Sequence, residues 1–102
     1  MTNTQKTGAI IVEWMEKQNE IEKVLDIAEE FSNKQFKIVE AYETLYVDSG
    51  ENEKVGVALD EAYNAYEKAY TRVDELKEKL QAINETINSL RKAWDCLEWL
   101  GL

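Results

Sequence analysis

Residues 59–97 read LDEAYNAYEKAYTRVDELKEKLQAINETINSLRKAWDCL. Alternate steps of three and four through this stretch meet Leu59, Ala62, Tyr66, Ala69, Val73 and Leu76, then Leu80, Ile83, Ile87, Leu90, Trp94 and Leu97. No charged or amide side chain falls on that row. An apolar seam held at a 3.5-residue period is the pattern of a helix packed lengthwise against other helices, and it excludes a β-strand, whose period is two. A strict repeat of this kind also asks for left-handed supercoiling, since a straight helix of 3.6 residues per turn drifts off the seam.

Working outward, the chain has no proline, and its four glycines are Gly8, Gly50, Gly56 and Gly101. Two long uninterrupted segments remain, as expected for two helices and one connection. Helix one is predicted over about 8–46, the turn over about 47–52 and helix two over about 53–99, all within a single domain spanning 1–102. Thr4 or Thr7 is the expected cap of helix one. At the turn, Gly50 supplies the positive φ that ends a helix, with Asp48, Ser49 and Asn52 as caps. Gly56 is expected to weaken the first turns of helix two by about 1 kcal/mol relative to alanine.

Helix one offers Ile10, Ile11, Trp14, Ile21, Val24 and Leu25 as an inward face, continued by Ala28, Phe31, Ile38, Val39, Tyr42, Leu45 and Tyr46. This stripe is wider than one neighbour needs, with Leu25, Val39 and Tyr46 read as flanking the main row. Lys17 and Gln18, and later Ser32 and Gln35, read as interruptions of that face. Acid-first pairs one turn apart, Glu13 with Lys17 and Glu30 with Lys34, are each expected to add about 0.2–0.5 kcal/mol.

The fold expected is therefore all-α: an antiparallel, coiled-coil-like hairpin of two long helices, helix two spanning about 70 Å at 1.5 Å per residue and helix one almost as long. Two helices alone cannot cover the wide stripe, so homodimerisation into a four-helix bundle is the expected way to bury it. The hairpin brings the two chain ends together. There Ile10, Ile11, Val12, Trp14 and Met15 face Trp94, Leu97, Trp99 and Leu100, more apolar surface than the hairpin itself can bury, and Trp99 falls on the outward side of the heptad pattern. These nine residues are the candidate interface, for a partner or for self-association. Tyr63, Tyr66 and Tyr70 form a secondary candidate surface, with a plainer role as space-fillers beside Ala62 and Ala69.

Composition bounds the function. With 21 acidic and 12 basic residues the formal charge is -9, which argues against direct contact with a nucleic-acid backbone and favours basic partner surfaces. There is no histidine and one cysteine, Cys96, so the usual acid-base and thiol chemistries lack their partners and no disulfide framework exists. The turn does not fit a calcium loop, and no phosphate-binding glycine loop occurs. No enzymatic activity, cofactor or metal is expected. Residues 1–7 lack the apolar core of a signal peptide and no run approaches a membrane span, so the expected setting is cytoplasmic, in the host if the protein is viral. The Tyr70 to Asp74 spacing fits small secretion substrates of the WXG100 type, but the turn Val47, Asp48, Ser49, Gly50 lacks their Trp-x-Gly, and no membership is drawn.

The expected function is that of a small acidic regulator or inhibitor that occupies another protein's surface, for example one encoded by a phage or mobile element and directed at a host nuclease or defence protein. The alternatives are a structural or secretion-associated hairpin that pairs with itself, and an acidic mimic of nucleic acid.

Overall fold

The computed structural model describes every residue from Met1 to Leu102. Two helices, α1 (Asn3–Asp48) and α2 (Glu53–Leu100), pack as an antiparallel hairpin with no strand. Contacts group the chain into two compact units: one is Leu25–Glu75, which contains the turn, and the other is Met1–Val24 together with Leu76–Leu102.

α1 begins five residues earlier than its apolar pattern suggests, and the cap is Thr2 rather than Thr4 or Thr7. The Gln5 amide N–H donates to the Thr2 hydroxyl at 3.1 Å, and the Thr2 N–H donates to the Gln5 side-chain oxygen at 3.0 Å. This reciprocal pair satisfies two backbone donors that a helix start would otherwise leave to water. The Thr7 hydroxyl bonds back to the Asn3 carbonyl instead. The chain is thus helical from Asn3 onward.

In the unit Leu25–Glu75 the turn follows from backbone hydrogen bonding. Gly50, at φ 71°, lets its own N–H reach the Val47 carbonyl at 3.1 Å while the Glu51 N–H reaches the Tyr46 carbonyl at 2.9 Å. This pair of bonds is the Schellman closure of a helix. Glu51 also takes a positive φ, 62°, a conformation its Cβ disfavours. Asn52 then caps α2 by accepting the Lys54 N–H at 2.9 Å. Gly56 sits where a Cβ would come within 3.2 Å of the Tyr46 ring, so its place in the helix follows from close packing.

The row Leu59 to Leu97 is buried or half-buried at every one of its positions, with Leu76 and Ile87 among the least exposed. In α1 the seam differs from the expected one. The positions turned inward are Ile11, Trp14, Gln18 and Ile21 in one unit, and Leu25, Ala28, Ser32, Gln35, Val39, Tyr42 and Tyr46 in the other. Leu25, Val39 and Tyr46, read from sequence as flanking, are the seam itself. Ile10, Val24, Phe31, Ile38 and Leu45, read as inward, each lie one residue before a seam position and are exposed. Gln18, Ser32 and Gln35 are members of the seam rather than gaps in it. Both rows have a seven-residue spacing, and only docking against α2 decides which of them turns in.

Inside the unit Met1–Val24 with Leu76–Leu102, Gln18 is accommodated because its side-chain N–H donates to the Asn84 side-chain oxygen at 2.6 Å. Such a pair gives up apolar burial but penalises helix alignments that would leave either amide unpaired. Lys17 does not bridge to Glu13; its ammonium lies 4.4 Å from the centre of the Trp14 ring. The expected Glu30 to Lys34 pair does form, at 3.4 Å and well exposed.

Two outcomes test this account by urea unfolding. Glu51→Gly raises stability by about 0.5–1 kcal/mol, whereas Gly50→Ala lowers it by about 1–2 kcal/mol, because one relieves and the other creates a strained left-handed residue. Gln18→Leu alone costs about 1–3 kcal/mol by orphaning Asn84, and Asn84→Leu added to it recovers most of that loss.

Candidate functional site

The candidate tip lies in the unit Met1–Val24 with Leu76–Leu102. Its two helix ends meet through the backbone, the Thr4 N–H donating to the Leu102 carbonyl at 3.3 Å. α2 stops there by the same closure as α1: the Leu102 N–H bonds the Leu97 carbonyl at 2.9 Å and the Gly101 N–H bonds the Glu98 carbonyl at 3.1 Å, with Gly101 at φ 73°. Trp99, Leu100 and Leu102 remain exposed around this ending.

The nine tip residues divide into two groups. Ile11, Trp14, Trp94 and Leu97 are half-buried members of the seam. Trp14 carries Lys17 across its face, and Trp94 lies over Gly8, where a Cβ would stand 3.5 Å from the indole nitrogen. Ile10, Val12, Met15, Trp99 and Leu100 are exposed, and Leu102 joins them. Met15 has the Arg91 guanidinium 4.0 Å from its sulfur. Trp99 is 86% exposed, the only one of the three tryptophans that the hairpin does not cover. With Asp95, Cys96 and Leu100 it lines a shallow, mostly apolar hollow of about 470 Å³. An indole left in water beside such a hollow is an anchor without a socket.

The tyrosine surface belongs to the unit Leu25–Glu75. Tyr66 is half-buried in the seam, its ring 5.5 Å from Phe36 and 6.1 Å from Tyr70, centre to centre. Both separations fall in the range of favourable aromatic pairs. Tyr63 and Tyr70 are exposed beside the seam. The Tyr63 hydroxyl donates to the Glu43 carboxylate, and that hydrogen bond, with lesser contributions from desolvation and the carboxylate charge, holds the Tyr63 phenol above its ordinary pKa. Phe36 was not singled out from the sequence, although its position four residues after Ser32 and three before Val39 places it on the rim of the seam.

On the outward side of α2, Glu67 and Glu75 line a hollow together with Lys68 and Arg72, and Arg72 bridges Glu75 at 3.8 Å. The acidic surface there alternates in sign. No three Asp, Glu or Cys side chains converge as a metal site requires. No helix is long and apolar enough to cross a membrane.

No family model, curated protein or solved structure matches this chain. The functional reading therefore comes from its own surfaces.

The tyrosine geometry has a titration signature. Because the folded pKa of Tyr63 is raised, its hydrogen bond stabilises the fold fully below the unfolded tyrosine pKa, and that contribution disappears as pH rises through the folded value. In an ultraviolet tyrosinate titration, Tyr63→Phe removes a phase that ionises above the ordinary tyrosine range. Glu43→Gln moves that phase down, while a phase that stays in place after Glu43→Gln contradicts the assignment.

Proposed function

We propose that this chain is a non-enzymatic, protein-binding regulator or inhibitor that acts by seating its tip against another protein. The observation carrying this reading is Trp99, 86% exposed beside Leu100 at the end of α2, with Trp14 and Trp94 taken up by the hairpin. Large aromatic anchors contribute most to protein interfaces when a pocket in the partner desolvates them. A surrounding of Asp95, Glu98 and the net charge of -9 suits a socket rimmed by Lys or Arg. Val12, Ile10 and Leu102 supply further exposed apolar area in the same unit.

A second reading, a structural hairpin that associates with itself, has its own support in the exposed apolar residues of α1 in the unit Leu25–Glu75. The two are compatible, because they use different residues. Mimicry of nucleic acid is less favoured: it calls for an uninterrupted anionic array, and Lys68 and Arg72 stand within the acidic face of α2.

The test is affinity capture from a lysate of the encoding cells or their host, with wild type and Trp99→Ala run side by side and molar mass measured by light scattering. The expected result is a partner retained by wild type and weakened roughly 30-fold or more by Trp99→Ala, as for a hot-spot residue, with molar mass unchanged. Loss of oligomeric mass in Trp99→Ala, with no captured partner, would overturn the tip as a hetero-partner site.

A further inference from the structure

In the unit Leu25–Glu75, α1 carries a second apolar row beside the one it packs on α2. Steps of four and three meet Ile27, Phe31, Lys34, Ile38, Ala41 and Leu45, and all six are exposed. Ile27 is 68% exposed and Phe31 53%. A solvated helix face has no reason to keep large apolar side chains at a 3.5-residue spacing. A face that lies lengthwise on another helix does. α2 already occupies the neighbouring row, and it leaves only Leu25, Ser32 and Val39 of α1 buried.

We infer that this second row is the contact surface for a second copy of the same chain, with the two α1 helices antiparallel about a two-fold axis through Lys34. Charge selects this occupant and this register. Along the edge of the row away from α2 stand Glu30 and Lys37. In an antiparallel pairing that seats Phe31 on Ile38 of the second copy and Ile27 on its Ala41, Glu30 meets the second copy's Lys37 and Lys37 meets its Glu30. Sliding one heptad either way sets Glu30 against Glu30 or Lys37 against Lys37, a repulsion at the centre of the contact. The row is thus complementary to itself in one alignment, as a two-fold interface requires. Lys34 falls on the axis and meets Lys34 of the second copy, a like-charge contact that this register keeps, and each ammonium is offset by the Glu30 carboxylate of its own chain 3.4 Å away. A single lysine within an apolar row weakens pairing and sharpens register. This inference does not depend on the tip reading, since Trp99 takes no part in it.

Light scattering and sedimentation equilibrium test it on the full chain. Wild type forms a dimer, and Phe31→Glu with Ile38→Glu weakens association roughly 100-fold or more by setting carboxylates against an apolar row. Glu30→Lys alone and Lys37→Glu alone each weaken the dimer, while the two together restore it, a result that lost folding does not mimic. In a Cys96→Ser background, Lys34→Cys gives a covalent dimer on mild oxidation and Glu30→Cys gives far less, because only residue 34 meets its own copy. A monomeric wild type overturns the inference. So does a dimer that survives Phe31→Glu with Ile38→Glu, or one that the charge exchange fails to restore. Trp99→Ala leaves the dimer intact, so failure of the tip reading and failure of this one are separately visible.

Discussion

A hairpin of two helices can bury one row of side chains per helix, and the rest of this structure follows from how that single seam is allotted. Each helix offers a row at a 3.5-residue spacing, and the two rows meet along the hairpin. In α2 the row is apolar throughout. In α1 it includes Gln18, Ser32 and Gln35, so the interior is thin: its buried apolar residues are Leu25, Val39, Ala62, Ala69, Val73, Leu76 and Ile87. Folding must offset about 1–2 kcal/mol of backbone entropy per residue, and a core of this width leaves little margin. Well-formed ends matter correspondingly: the Thr2 and Gln5 cap and the closures at Gly50 and Gly101 supply hydrogen bonds where a thin core supplies none.

The same allotment creates the surfaces. Phe31, Ile38 and Leu45 each stand one residue before a seam position, so when Ser32, Val39 and Tyr46 turn in, those three are left outside. The apolar surface of α1 is a consequence of which row faced α2, not of an excess of apolar residues scattered at random. Trp99 arises differently. It stands two residues beyond Leu97, the last seam position, and so on the opposite side of α2 from the seam. One surface flanks the seam and the other lies opposite it, and both are apolar and exposed.

Polar groups in and beside the seam have side-chain partners. Gln18 is matched by Asn84, Lys17 by the Trp14 ring, and Tyr63 by Glu43. No buried side-chain nitrogen or oxygen lacks a partner. The chemistry the molecule can offer another protein lies in exposed apolar side chains with charges of both signs beside them.

Much of this was legible in the chain's local pattern, first in residues 59–97, because an apolar residue at every third or fourth place can satisfy only a helix packed along its length. The two helices, their antiparallel pairing, the turn at Gly50 and the outward position of Trp99 all follow from local pattern, since each depends on neighbours close in sequence. The identity of the α1 seam was not legible. Two adjacent rows there share one period, and the more apolar of them is the one left outside, so hydrophobicity pointed to the wrong face. The choice is made by contacts with α2, such as Gln18 with Asn84, 66 residues apart, and Tyr46 with Gly56 across the turn. The sequence by itself determined that these helices pair. Which side of α1 they pair through, and hence which residues remain for a partner, was decided only when the second helix lay down on the first.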